Sequence, residues 1–478
     1  MMNRAVVFAA ALLSLTAAES PGKEKKSAAP RHHSLTLENA ISIALRQNPD
    51  VLKAIHEIER TRGQVIEIRA QALPTLQAAG TYTQYDPELL QSGGVSSSTA
   101  TGLSALTGTS QDKSWRITLQ VQQTVYSGGK VRAAMKIAEL TEDTSHQMLR
   151  ETVATVIANV RTQFYTALLN RELITVAEES IVLLADQLKD QQNRFDAGTV
   201  ARFNVLQAEV ELANARPDLI RAKNNFHISR LQLGKTLGLD TDDEPDIAGV
   251  LRMIPREVNL ARALAAARKN RAILKAQKNT VENGERQITV AKAGYKPKLD
   301  ADVGYEFVNS RTTKDLARVT NGWYLGVTGS WAIFDGLQTK GQVDQAKASL
   351  ASAKVNLADS VQQVELEVQK AYAQARVSRE VIASQIKVVE QADEALRLSK
   401  ERLAAGAGTQ LDVLNSRVAL TKARTTQKQA LSDYNVALAE YDRATGAGTI
   451  CDPTLPDAKA KLSGATLRRG SATLRPAD

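Results

Sequence analysis

Residues 115–126 read WRITLQVQQTVY, a stretch in which apolar and polar side chains alternate from end to end. A period of two is typical of a β-strand with one apolar and one polar face. The apolar row is Trp115, Ile117, Leu119, Val121 and Val125, which only Gln123 interrupts. We expect a strand of about 10 to 12 residues, the length that a tilted strand needs to cross a bilayer.

Three other segments alternate in the same way, at residues 76–85, 299–307 and 323–334, the first of them most weakly. A soluble sheet with one face on a core would also explain any one of these segments. Trp115 and Trp323 are expected to open their strands and Trp331 to lie near the other end, at the membrane interface. Since the smallest membrane barrels have about 8 strands, four strands require association with other subunits.

The four predicted strands belong to an internal repeat. Nine residues recur 208 positions later; they are Arg194, Ala197, Gly198, Val205, Leu206, Val210, Leu212, Ala215 and Arg216, matched by Arg402, Ala405, Gly406, Val413, Leu414, Val418, Leu420, Ala423 and Arg424. At the start of the first strand of each pair, Pro74 and Leu76 match Pro297 and Leu299 with an offset of 223. The difference of 15 residues must fall in a loop between strands, where chain length costs little.

Helices are expected around the strands in both copies. Residues 130–195 and 338–403 contain good helix formers and no proline, which predicts rods of roughly 100 Å. Return helices are predicted at 203–237 and 411–445, and a further helix precedes each strand pair at 36–72 and 259–293. We expect Pro49 to kink the first of these helices and Pro217 to interrupt the first return helix.

Composition agrees with helix packing and export. The chain is 43% hydrophobic but only 4% aromatic, and its net charge of +9 is dispersed among acids, which disfavours nucleic acid as a partner. Residues 1–18 have the pattern of a signal peptide, and the one cysteine allows no internal disulfide. The expected organisation is a signal peptide at 1–18, repeats at 35–240 and 255–446, and a disordered basic tail at 447–478.

The chain resembles the TolC-type outer-membrane efflux protein family between about residues 35 and 446. The resemblance is most specific at Tyr126-Ser127-Gly128-Gly129 and Phe334-Asp335-Gly336, where strands would pass into helices, and at the turn GAGTQLDVL of residues 406–414. It implies an α+β membrane protein, a homotrimer whose strands form a shared 12-stranded β-barrel in outer-membrane lipid. Coiled-coil helices would form an α-barrel in the periplasm.

The resemblance also implies partners and sites. The helical turns would dock on a periplasmic adaptor, or membrane fusion protein, and an inner-membrane pump; the candidate docking residues are Arg194, Gly198, Thr199, Arg402, Gly406 and Thr409. The alternative is structural, since glycine permits left-handed turns and arginine suits a helix C-terminus. Asp412 matches an aspartate of the family's closed aperture, Asn415 stands where a second acid is frequent, and Gly408 replaces an arginine latch. Asp412 could equally be a first-turn acid with Thr409 as N-cap.

No catalytic residue, cofactor or metal site is expected. The five histidines lack metal-ligand spacing, and Gly234-Lys235-Thr236 lacks the first glycine of a phosphate loop. The expected function is passive conduction of substrate in efflux or type I secretion. The alternative is a periplasmic coiled-coil adaptor or scaffold, which would lack the paired alternating strands. The sequence does not identify the substrate, the pump or the adaptor.

Overall fold

The structure of the chain is a computed structural model, and it describes residues 35–84, 86, 113–240, 244–253, 255–309 and 319–447. The predicted signal peptide, residues 87–112 between the first two strands, and the tail beyond residue 447 lie outside the described residues.

Each half of the chain contributes two short helices, two strands and a long helical hairpin. The first half contains α1 (Leu37–Gln47), α2 (Pro49–Ala70), β1 (Thr75–Gln84), β2 (Lys113–Tyr126), α3 (Lys130–Asp196) and α4 (Arg202–Leu237). The second half contains α5 (Leu260–Asn270), α6 (Ala272–Lys292), β3 (Lys298–Asn309), β4 (Val319–Ser330), α7 (Gln338–Ala404) and α8 (Gln410–Thr445). A turn of 3-10 helix, Ala293–Tyr295, leads into β3. The described residues contain no helix long and apolar enough to cross a membrane.

The four strands form one antiparallel sheet in the order β1-β2-β3-β4. Each half supplies one strand pair, and the two pairs join where β2 lies beside β3, for example at Leu119 opposite Tyr305. Strands β1 and β4 are the edges, and each pairs with a single strand in the described part of the chain. The sheet is therefore open on both sides.

The long helices α3 and α7 are each 67 residues, or about 100 Å at 1.5 Å per residue. Each packs against its own return helix, and α3 also contacts α6 and α8 of the other half. Apolar side chains spaced three and four residues apart form a buried stripe on α3, made of Val153, Val156, Val160, Phe164 and Ala167, and Val368 occupies the place of Val160 in α7. Such stripes stabilise the hairpins because each buried Val or Leu contributes roughly 1.5–3 kcal/mol.

The helix before each strand pair is divided in two at equivalent positions. Asn48 ends α1 and caps α2 through Oδ1, and Pro49 follows as its first residue, so the predicted kink is a complete break. The second copy breaks at Arg271, 223 positions later, without a proline. Each break rests on the end of a return helix: Asn48 Nδ2 donates to Thr236 O at 2.7 Å, and Arg271 Nη1 donates to Arg443 O at 3.4 Å.

Two sequence-based predictions are wrong in detail. Helix α4 continues through Pro217, because that residue is exposed and the helix packs against α3 along its length. Strand β4 begins at Val319 rather than at Trp323 and ends at Ser330, because pairing with β3 extends to Asn309 opposite Val319. The remaining helix and strand bounds differ from the predicted ones by a few residues.

Candidate functional site

The sheet has two chemically different faces, and the strand register decides which side chains share a face. One face is apolar in all four strands; it includes Leu76, Tyr82, Trp115, Ile117, Leu119, Val121, Leu299, Val303, Tyr305, Phe307, Trp323, Leu325 and Val327. The other face is polar; it includes Thr75, Gln77, Thr81, Arg116, Thr118, Gln120, Gln122, Asp300, Asp302, Glu306, Tyr324 and Thr328. A sheet of this kind separates lipid from water.

The helix-side end of β2 accommodates the polar residue that interrupts the apolar row. Gln123 Nε2 donates to Ala72 O at 2.9 Å, so its amide is bonded to the connection between α2 and β1. A register shift between Thr124 and Tyr126 then places Tyr126 opposite Leu299. The sheet therefore changes from alternating strand to helix connection within a few residues.

The three tryptophans occupy different levels of the sheet. Trp115 lies near the start of β2 opposite Tyr82, whereas Trp323 lies inside β4 opposite Tyr305 and does not open its strand. Trp331 follows the last residue of β4, and its Nε1 donates to Tyr295 O at 3.1 Å. Both Trp323 and Trp331 are exposed. Their place at a membrane interface stays a prediction.

The strand-to-helix passages use left-handed backbone in both halves. Gly128 and Gly129 have φ of 64° and 93°, and a Cβ on Gly128 would lie 2.9 Å from Lys296 Cβ. In the second half the equivalent pair is Gly336 and Leu337, and Leu337 keeps φ of 73° without being glycine. The left-handed region costs a side-chain-bearing residue roughly 1–2 kcal/mol. Both passages from strand to long helix therefore depend on left-handed backbone at equivalent positions.

The first hairpin tip joins α3 to α4 through a left-handed glycine, Gly198, with φ of 71°. Thr199 donates twice to the carbonyl oxygen of Arg194, from its backbone N at 2.9 Å and from Oγ1 at 2.8 Å. Arg194 also forms an ion pair with Asp190 at 3.0 Å. The structural roles expected of Gly198 and Arg194 are thus present, and Gly198 and Thr199 remain exposed.

The second tip repeats this turn between α7 and α8. Gly406 has φ of 74°, and Ala407 N donates to Arg402 O at 2.9 Å. The guanidinium of Arg402 lies over the turn, with Nη2 3.4 Å from Ala407 O. Arg402 and Gly406 are exposed, so the tip presents both residues to solvent beside a hydrogen-bonded turn.

The two aperture candidates lie on the first turns of α8. Thr409 caps the helix: its Oγ1 accepts from Asp412 N at 3.2 Å, and its backbone N donates to Asp412 Oδ2 at 2.9 Å. Thr409 also donates from Oγ1 to Asp412 Oδ2 at 2.8 Å, and the two hydrogen bonds that it donates to this carboxylate, together with the charge of Arg402, hold the pKa of Asp412 below its ordinary value. Asn415 lies three residues further along the helix, and both side chains are exposed. Although Asp412 takes part in the helix cap, its side chain stays exposed to solvent.

A polar seam lies between the two hairpins just behind the tips, and sequence reasoning missed it. Gln191 Nε2 donates to Gln410 Oε1 at 3.1 Å across the seam. Arg417 is only 4% exposed, and its Nε and Nη1 atoms have no hydrogen-bond partner among the described residues. Burial lowers the pKa of Arg417, while Asp186 and Glu211 oppose that effect. Its repeat partner by the 208-residue offset is Glu209, which is exposed, so the repeat offered no signal.

A second charged cluster connects the halves near the helix breaks. The side chain of Arg271 is 5% exposed and bonds Glu151 of α3 at 2.9 Å and Glu367 of α7 at 3.0 Å. Arg443 joins the same group through Glu367 at 3.1 Å, and its bonds to Glu440 raise its pKa. The 223-residue offset from Asn48 could have marked Arg271 as a helix-break residue. Among the described residues, no group of three or more His, Cys, Asp or Glu side chains could hold a metal ion.

Known proteins of this architecture are channels of the outer membrane. At residues 40–239 and 263–447 the chain matches the family model "Outer membrane efflux protein". It is 24% identical over 426 residues to outer membrane protein TolC of Escherichia coli, covering 85% of this chain and 81% of that protein. It is 22% identical over 417 residues to the cobalt-zinc-cadmium resistance protein CzcC of Cupriavidus metallidurans, covering 86% and 90%.

Solved structures share the fold. The Campylobacter jejuni CmeC outer membrane channel superposes with a TM-score of 0.77 at 16% identity, covering 90% of this chain and 88% of that one. The outer membrane protein VceC of Vibrio cholerae gives 0.72 at 18% identity, covering 86% and 96%. The family model thus covers both halves of the chain, with their strands and long hairpins. The protein belongs to the outer membrane efflux protein family.

Proposed function

We propose that this outer-membrane channel protein forms, as a homotrimer, the exit duct of a tripartite efflux or type I secretion assembly. The observation that carries the proposal is the open four-stranded sheet with one apolar and one polar face, joined to helical hairpins of about 100 Å. Three copies supply twelve strands, and pairing β4 of one copy with β1 of the next removes every open edge from the lipid. The helices then extend through the periplasm.

Neither edge strand contains a charged residue: β1 reads TLQAAGTYTQ and β4 reads VTNGWYLGVTGS. Charged side chains on an edge strand would hinder pairing with another copy. Neutral edges therefore support closure between subunits. A periplasmic adaptor, by contrast, would expose the apolar face of such a sheet to water.

Conduction needs no chemistry from the chain itself, and its family consists of channel proteins rather than enzymes. Substrate enters from an inner-membrane pump through a periplasmic adaptor, which we place at the two hairpin tips around Gly198 and Gly406. The exposed carboxylate of Asp412 and the amide of Asn415 line the closed periplasmic aperture in this proposal. A ring of equal charges there repels anions and opposes closure.

The proposed assembly leads us to expect three results. Protein extracted from outer membranes in detergent should give a native mass of three chains, and it should conduct ions in a planar bilayer. Substitution of both tip glycines by charged residues should leave mass and conductance intact but abolish pull-down of the adaptor. A soluble periplasmic monomer without channel activity contradicts the proposal.

A further inference from the structure

The polar face of the sheet has one position that is closed to solvent. Within the four strands only Gly304 and Asn309 are buried, and Asn309 is enclosed by hydrogen bonds to the start of β2. Gly304 lies in the middle of β3, on the polar face between Asp302 and Glu306, which are only half-buried. Since glycine has no side chain, the cover of Gly304 must come from another residue.

The cover is the ring of Tyr324, which lies directly opposite Gly304 on β4. A Cβ built on Gly304 would lie 2.6 Å from both Cζ and Oη of Tyr324 and 2.7 Å from Cε1. Because a Cβ points out of the sheet, the outer edge of the ring occupies the place where a side chain of residue 304 would begin. The ring therefore lies along the wall of the sheet, across β3.

The absence of a side chain at Gly304 is what allows the ring to lie flat. A larger residue there would stand in the volume that the ring occupies, and Tyr324 would turn to a staggered rotamer that is perpendicular to the sheet. This requirement is not shared by every glycine of the face. At Gly322, also on the polar face of β4, a Cβ would meet nothing within 4 Å among the described residues.

The first half of the chain has different residues at the equivalent positions. By the repeat offsets of 223 and 208, Gly304 and Tyr324 correspond to Thr81 and Arg116, which also lie directly opposite each other. Arg116 is likewise turned along the wall, since its Nε lies 3.1 Å from Glu306 Oε1 of β3. Bulky side chains from β2 and from β4 thus both lean over β3, and the space in front of the sheet stays open.

We propose that Tyr324, held flat on Gly304, sets the bore of the barrel and with it the largest uncharged solute that the barrel admits. This inference rests on the proposed function, in which the polar face lines a water-filled lumen. Each copy adds one ring at the same height, so rings that turn away from the wall narrow the lumen from every copy at once. The effect is steric and does not depend on the charge of the solute.

The test is the exclusion of poly(ethylene glycol) of graded size, measured as single-channel conductance in a planar bilayer. The long polar helices stay on the side of protein addition, so polymer on the opposite side enters the barrel before it reaches the hairpin tips. A polymer that enters displaces electrolyte and lowers the conductance, whereas one that is too large leaves it unchanged. Gly304→Val should lower the size of the largest polymer that enters, and Gly304→Ala should lower it by less.

Two controls separate displacement of the ring from added volume. Gly322→Val places the same side chain on the same face in open space, and its cut-off should stay close to that of the unmodified protein. The double variant Gly304→Val/Tyr324→Ala keeps the valine but lacks the ring, and its cut-off should return at least to the unmodified size. Native mass confirms the intact oligomer for each variant.

Two results overturn the inference. One is an unchanged cut-off for Gly304→Val in an intact oligomer, and Gly304→Ala decides by the same criterion if the valine variant does not assemble. The other is a lowered cut-off that persists in the double variant, because the ring is then not its cause. Absence of all conductance in the unmodified protein contradicts the proposed function itself, a result distinct from an open channel with an unchanged cut-off.

Discussion

A matched pair of glycine substitutions separates backbone strain from steric contact in this fold. Gly238 ends α4 with φ of 77°, and Gly406 ends the α7 hairpin turn with φ of 74°. Both glycines follow a helix in the same left-handed turn. They differ in surroundings: a Cβ on Gly406 would meet nothing within 4 Å, whereas one on Gly238 would lie 2.4 Å from Gln47 O.

The expected penalties follow from this difference. Gly406→Ala costs the left-handed conformation, roughly 1–2 kcal/mol, less about 0.4–1 kcal/mol for the stiffer unfolded chain, which leaves about 1 kcal/mol. Gly238→Ala carries the same term, and its Cβ also displaces the backbone at the α1–α2 break, where Asn48 bonds Thr236 at 2.7 Å. Overpacking of this kind adds about 1–3 kcal/mol.

The measurement is the thermal loss of helical circular dichroism in detergent, at one scan rate for all variants. A penalty of about 1 kcal/mol moves the Tm of a long chain by about 2 °C or less, so Gly406→Ala should be close to the unmodified protein. Gly238→Ala should lower Tm two to four times as much. Equal shifts for the two variants would refute the steric reasoning.

Three further predictions concern single side chains. Arg417→Met should raise the apparent Tm, because replacing a buried guanidinium that lacks full hydrogen bonding by an apolar chain of similar size stabilises by about 1–3 kcal/mol; a lower Tm contradicts this. Leu337→Gly should stabilise by about 0.5–1 kcal/mol, since relief of left-handed strain exceeds the added chain entropy, whereas Gly129→Leu at the equivalent position should destabilise. The cap of α8 is stabilised above the ordinary carboxyl pKa and loses that stabilisation as pH falls through the lowered pKa of Asp412. Amide protection factors at the second tip, which correct for the intrinsic pH dependence of exchange, should therefore fall below about pH 4, and D412N should remove this fall.

Features set by local chemistry were predictable from the sequence. The strand alternation of residues 115–126 and the apolar stripe of α3 depend only on the period of the chain, and both are present. The cap formed by Thr409 and Asp412 follows a rule about residues three positions apart, and the structure contains it.

Features set by contacts between distant segments were not predictable. The start of β4 depends on how far β3 extends, and the continuity of α4 through Pro217 depends on packing against α3. The break at Arg271 lacks the proline of its counterpart and could be found only through the repeat, and the acids that bond its side chain come from the distant helices α3 and α7. The neighbours of Asp302 across the strands depend on the register, which no periodicity in one strand contains.

The central claim is that the polar face of the sheet lines a water-filled duct while the apolar face contacts lipid. Single cysteines at Gln120 and Leu119, neighbours on opposite faces of β2, test it directly in a Cys451→Ser background. A charged, membrane-impermeant thiol reagent should reduce the single-channel current of Gln120→Cys and leave that of Leu119→Cys unchanged. Equal block at both positions, or block only at Leu119→Cys, would contradict the account.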